Sequence, residues 1–175
     1  MKKIKFLILA TVAVMLSSCS DEFSINDITS VEELPGYVAF NPDGTAVTIA
    51  PFQVDENDGL LEDINVEIPT GNLSDVTVTY SLSGTAVFGT DYTIDGATAS
   101  GGTLIIEHKQ TTDPEDEVAD NEDIPVRVLT DGVADGEKTI IITLVSASNA
   151  EGDLAVGRGG TDFLKTATVV IADVD

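Results

Sequence analysis

The stretch TATVVIADVD (166–175) decides how the rest of the chain is read. It is a short, β-branched, strand-like run that ends on two carboxylates, Asp173 and Asp175. Such an end either frays as an exposed acidic tail or arrives where the carboxylates have something to bind. The upstream sequence repeats the same grammar. Past the N-terminus no apolar pattern of helical period appears; short runs with period-two alternation recur instead, broken by Gly, Asp, Asn and Pro. They read as seven strands: GYVAF (36–40) continued by TAVTIAPF (45–52), then INVEIP (64–69), DVTVTYSL (75–82), GTLIIEH (102–108), IPVRVL (124–129), KTIIITLV (138–145) and KTATVVIA (165–172). Seven strands at this spacing without helices predict an all-β fold, a seven-stranded antiparallel Ig-like β-sandwich.

Successive strands in such a sandwich alternate direction. The first, third and fifth turns therefore gather at one pole with the end of the seventh strand. These segments are VDENDG (54–59) with Glu56, GTAVFGTDY (84–92) with Asp91, TDGVADGE (130–137) with Asp131 and Asp135, and the closing ADVD. All four are rich in carboxylates. Carboxylates crowded in water repel and raise one another's pKa unless a cation neutralises them. A hard divalent ion takes six to eight oxygens, and flexible Asp/Glu loops suit Ca²⁺ better than Mg²⁺. These loops hold no His or Cys, which points away from zinc and copper.

At the other end, residues 1–18 combine Lys2, Lys3 and Lys5 with the apolar run LILATVAVML, the pattern of an export signal. LSSC (16–19) resembles the bacterial lipobox, which implies lipidation at Cys19 and a membrane anchor there. Ser20, Asp21 and Glu22 resemble the outer-membrane surface-export signal of Bacteroidota lipoproteins. This places the protein at the bacterial cell envelope, and residues 19–36 then read as a tether. Cys19 is the only cysteine, so no disulfide supports the fold. The formal net charge is −23; removing the signal takes three of eight basic residues and none of 31 acidic ones, leaving 5 − 31 = −26. Nucleic acid is excluded as a partner on that balance, and divalent cations are favoured.

VDENDG, GTAVFGTDY, DGVADGEKTIIITL and TATVVIADVD, in this order and spacing, resemble the Calx-beta domain over residues 37–175. The GTA-x-x-G-x-DY piece is the most specific. The resemblance implies a Ca²⁺-binding sandwich with its ions at one pole. Carried over by position, the metal ligands are Glu56, Asp91, Asp131, Asp135, Asp173 and Asp175. The chain departs from the family pattern in two places. Asp135 stands where a longer Glu is usual and Lys138 where a second Glu is common, and the close is Asp-Val-Asp rather than three acids. Fewer ligands imply one or two Ca²⁺ ions of weak, roughly 10⁻⁴–10⁻³ M, affinity.

The remaining features read blandly. TTDPEDEVADNEDIP (111–125) falls at the far pole and matches no EF-hand spacing. GRGG (157–160) lacks the lysine and strand–helix context of a phosphate loop. His108 ends a strand with no nucleophile and orienting partner around it, Arg127 alternates outward from Val126 and Val128, and Tyr80, Phe88 and Tyr92 read as packing. The expectation is a non-catalytic, lipid-anchored adhesion or interaction module with a protein or glycan partner. The alternatives are a metal-free structural spacer in a surface assembly and an accessory glycan-binding lipoprotein, the latter disfavoured by the absence of Trp.

Overall fold

A computed structural model describes residues 36–42, 45–59, 61–109, 120–130 and 132–173. The chain divides into two compact units, Met1–Leu34 and Pro35–Asp175. The first lies outside the described residues, and with it the expected signal, Cys19 and nearly all of the tether.

Among the described residues, ten strands form the second unit: β1 (Tyr37–Phe40), β2 (Phe52–Asp55), β3 (Leu61–Ile68), β4 (Val76–Gly84), β5 (Tyr92–Ile94), β6 (Gly101–Ile106), β7 (Asp120–Val128), β8 (Lys138–Ser148), β9 (Asp153–Val156) and β10 (Thr166–Ala172). One layer runs β2-β10-β8-β4-β6, and the other β1-β3-β7-β5. Short β9 joins them, pairing antiparallel with β8 and parallel with β1. Every other pair is antiparallel except β10 with β2. The all-β sandwich expected from the alternation is therefore present.

Period-two alternation builds its core. Val76, Val78, Tyr80 and Leu82 on β4, Ile140, Ile142 and Leu144 on β8, and Ala167, Val169 and Ile171 on β10 point inward. Phe40, Ile64, Val66, Ile124 and Val126 meet them from the second layer. Each such side chain taken out of water contributes about 1.5–3 kcal/mol before the entropy of ordering it is subtracted.

The strand count differs from seven for identifiable reasons. The expected first strand is two: β1 lies in one layer and β2 in the other. Residues 45–51 between them are not strand. The Asn41-Pro42 pair marks the departure, since proline has no N–H to give a ladder. β9 and the three-residue β5 are too short to show periodicity. Leu154 and Val156 on β9 pack against the core from inside a Gly-rich segment that reads as linker. β3 starts at Leu61 rather than Ile64, and β7 at Asp120 rather than Ile124. Asp and Asn are poor strand formers, but here the two polar extensions satisfy each other: Asn65 pairs in register with Asp123, and its Nδ2 donates to Asp123 Oδ1 at 2.7 Å.

Candidate functional site

The register places the acidic segments at one end of the sandwich. Ala172 at the end of β10 lies beside Asp55 at the end of β2, and Ile171 lies beside Lys138 at the start of β8. Gly84 at the end of β4 faces Ile140, and Tyr92 at the start of β5 faces Val128 near the end of β7. Glu56 opens a 3-10 turn, Glu56–Asp58, that closes on Gly59 in the left-handed region at φ 54°. Glu56, Asp91, Asp135 and Asp173 thus reach the same pole, as the alternation of strand direction predicts. Asp131 and Asp175 lie outside the described residues.

Asp91 is the anchor of this pole. It is 3% exposed, a burial that a carboxylate tolerates only when paired. Its Oδ2 accepts from the Val87 backbone N–H at 2.5 Å, closing the turn that precedes it. Its own N–H donates to Val87 O at 2.9 Å, and its carbonyl accepts from Leu129 N at 2.8 Å, tying the β4–β5 turn to the end of β7. Gly84 lets this turn begin: its φ is +120°, and a Cβ there would lie 2.1 Å from the Thr139 carbonyl. With that space free, the N–H groups of Thr85 and Ala86 both reach Thr139 O at 3.0 Å. Phe88 packs edge-on against Tyr92 at 5.5 Å, an aromatic rim under the loop.

The remaining oxygen of Asp91 binds a cation that belongs to the chain. Lys138 Nζ lies 2.7 Å from Asp91 Oδ1 and 2.5 Å from Asp135 Oδ2. These hydrogen bonds, Asp135 first and Asp91 second, raise the Lys138 pKa well above the ordinary lysine value against the opposing effect of burial. Asp173 Oδ2 accepts from Gly136 N at 2.5 Å, fastening the β7–β8 turn to the end of β10. Glu56 is 6% exposed, and its carbonyl accepts from Thr130 Oγ1 at 2.7 Å.

The donor set is all oxygen and mostly carboxylate, the chemistry of a Ca²⁺ site rather than of a transition metal. Its arrangement fits such an ion only in part. Among the described residues no three His, Cys, Asp or Glu side chains gather in metal-holding geometry. Asp91 and Asp135 instead share the Lys138 ammonium. Sequence reasoning treats Lys138 only as a lost ligand, whereas the structure makes it the cation of this corner. The signal was available, because Lys138 is the only basic residue in VDENDG, GTAVFGTDY, DGVADGEKTIIITL and TATVVIADVD.

The other features behave as packing or surface. Tyr80 and Tyr92 are buried, and burial raises both phenol pKa values, with the Asp91 charge adding to the shift for Tyr92. Arg127 is exposed on β7. At the far pole His108 Nδ1 lies 3.3 Å from Asp120 Oδ2, and Lys109 N donates to Asp120 Oδ1 at 2.9 Å. His108 therefore helps hold a buried carboxylate at a strand end rather than standing alone in solvent. Residues 111–119 of the acidic run lie outside the described residues.

Solved structures with this fold include the apo-form Calx CBD1 domain, with a TM-score of 0.55, 21% identity, and coverage of 81% of this chain and 99% of that one. The Calx CBD2 domain aligns with a TM-score of 0.54 and 17% identity over 79% of this chain and 87% of that domain. The calcium binding domain CBD12 of CALX1.1 aligns with a TM-score of 0.51 and 23% identity over 78% of this chain, which spans 45% of that longer chain. At these identities the likeness is one of fold. No family model and no curated protein matches the chain.

Proposed function

We propose that this domain is a non-catalytic, Ca²⁺-responsive interaction module, held at the cell envelope through Cys19. One observation carries the reading: Glu56, Asp91, Asp135 and Asp173 come from four separate segments to one pole. The fold they sit on is shared with Calx domains, one of them described as calcium binding. Glu56 and Asp173, with Asp131 and Asp175 supplied by sequence, are the residues to hold an ion; Asp91 and Asp135 are engaged by Lys138. A bound Ca²⁺ supplies neutralising charge and a cross-tie between turns. The chain's own residues already provide part of that tie, through the bond of Gly136 N to Asp173 and the carbonyl bond of Glu56 to Thr130.

Binding confined to the folded state stabilises by mass action. At tenfold excess over the dissociation constant the gain is about 1.4 kcal/mol, a rise of roughly 4 °C in Tm for a domain of this size. The expected result is therefore a modest, chelator-reversible rise with ~10 mM Ca²⁺, the weak extracellular regime. A larger rise is expected for Lys138→Glu, which frees Asp91 and Asp135 and adds an acid. A folded protein in which neither form responds to Ca²⁺ contradicts the reading.

A second reading has its own support. Because Lys138 neutralises Asp91 and Asp135 without metal, the domain also suits a metal-free spacer in a surface assembly, and the same titration separates the two. The lipid anchor is tested independently by Cys19→Ser, which should release the protein from the membrane fraction. Protease access on intact cells then reports which face carries the domain. The partner in this reading is a protein or a glycan, and the acidic balance excludes nucleic acid.

A further inference from the structure

The break that separates β1 from β2 opens a cleft beside β3. Asn41 N still reaches Asn65 O at 3.0 Å, but Pro42 ends the ladder, and residues 45–51 cross to the other layer without pairing as strand. Between this crossing segment and β3 lies a cavity of about 510 Å³, within the range of small-ligand sites. One wall is apolar: Ile49 and Phe52 are half-buried against the core, with Pro51 between them in sequence. The other wall is polar, built from Asn41, Asp63 and Asn65. Its amides are already oriented. Asn41 Nδ2 donates to Asn65 Oδ1 at 3.2 Å, and Asn65 Nδ2 donates to Asp123 Oδ1 at 2.7 Å. Both donations run the same way, so Asn41 Oδ1 is left as an acceptor and each amide keeps a second N–H. Asp63 follows on the same face of β3, two residues or about 6.6 Å along. Its cross-strand neighbour is Pro125, which offers the carboxylate no donor, and among the described residues its side chain has no partner.

We propose that this cleft binds a neutral saccharide, with vicinal hydroxyls on Asn41, Asp63 and Asn65 and the C–H face of the ring against Pro51 and Phe52. The inference rests on the reading as an interaction module and names the class of its glycan partner. The lining selects that class by elimination. Among the described residues no basic side chain lines the cleft, and a formal net charge of −23 repels an anion. A guanidinium or ammonium group only donates, which leaves the spare amide N–H groups of Asn41 and Asn65 unmatched. A metal ion meets one unpartnered carboxylate, far short of the six to eight oxygens that Ca²⁺ takes, and the described residues hold no three-ligand group. A sugar hydroxyl both donates and accepts, so it satisfies the carboxylate and the amides alike. Asn41, Pro51 and Asp63 are exposed at the rim and the chain has no Trp to stack on a ring, so binding is weak, on the order of 1 mM.

Amide NMR spectra of the protein, recorded in chelator, test it by titration with glucose, galactose and mannose, epimers that differ in the arrangement of their vicinal hydroxyls, and with maltose, lactose and cellobiose. The expected result is a saturable shift with at least one of these sugars, confined to Asn41, Ile49, Phe52, Asp63 and Asn65 and including the side-chain NH₂ signals of both asparagines. Asp63→Ala and Asn41→Ala should each weaken that binding about tenfold or more, whereas Ser83→Ala, outward on β4 of the opposite layer, should leave it unchanged. The same spectra report that each variant is folded. No saturable shift with any sugar at about 100 mM, a hundredfold above the expected dissociation constant, overturns the proposal. So does binding that survives Asp63→Ala, or a cleft that takes arginine amide and none of the sugars, which assigns it to a basic peptide instead. Chelator keeps Ca²⁺ out of the titration, so failure here and failure of the Ca²⁺ response at the acidic pole are read independently.

Discussion

Replacing Asp91 with Ala removes the buried centre of the acidic pole. The carboxylate is 3% exposed and accepts two short hydrogen bonds, from Val87 N and Lys138 Nζ. Hydrogen bonds to a charged group contribute about 1.5–3 kcal/mol each, and the truncation strands the Val87 N–H in a partly buried turn. Removing one partner of a buried pair costs about 3–5 kcal/mol. Because the Lys138 side chain is 19% exposed and can rehydrate, the lower end applies, about 3 kcal/mol, attributed to Asp91 alone. At roughly 3 °C per kcal/mol this lowers Tm by about 10 °C. Asp91→Asn keeps an acceptor for Val87 N and should lose about half as much. The assay is urea unfolding at pH 7 followed by circular dichroism, repeated in high salt, to which a pair this buried responds little. An Asp91→Ala loss under ~1 kcal/mol, or equal losses for Ala and Asn, refutes the assignment of Asp91 as the organising group.

Further expectations concern both layers. Gly84→Ala places a Cβ 2.1 Å from Thr139 O at a φ of +120°; it should cost at least ~2 kcal/mol and weaken amide protection at Thr85 and Ala86, read by hydrogen exchange. The raised pKa values of Lys138, Tyr80 and Tyr92 mean that the folded state holds these protons more tightly than the unfolded chain. Their stabilisation is complete below about pH 10 and is lost as pH rises through the folded values, so the urea midpoint should fall above pH 10, with a shallower fall in Lys138→Gln. Asn65→Ala removes the 2.7 Å bond to Asp123 and should cost about 1 kcal/mol by urea unfolding while leaving any Ca²⁺ response intact.

Sequence reasoning reached the sandwich because Val76–Leu82, Ile140–Leu144 and Ala167–Ile171 alternate cleanly and are wholly inward or outward. It reached the acidic pole because strand direction alone determines which turns share an end. It did not reach the layer switch between β1 and β2, since periodicity identifies strands and not the layer each joins. β9 escaped because four residues between glycines carry no readable period. The polar starts of β3 and β7 escaped because their propensity is poor and their support is a cross-strand partner some 58 positions away. Lys138 was visible as a departure from a motif, but its role depends on a distance to Asp91, 47 residues back, that no local pattern encodes.

The position of β10 has a consequence for how the chain folds. Tenth in order along the sequence, it lies between β2 and β8, bonded to both. Until β10 is available, β2 has no partner strand among the described residues, and β8 presents an open ladder of N–H and C=O groups over Lys138–Thr143. The first nine strands thus form an incomplete sheet with a vacant slot, liable to pair with any extended segment that reaches it. Closing that slot joins residues more than a hundred positions apart, Phe52 with Val169, a contact whose loop entropy slows the final step. A chain folding from its N-terminus as it is released therefore cannot complete its larger layer until residue 172 is free. Deletion of β10 should yield an aggregating species rather than a smaller domain.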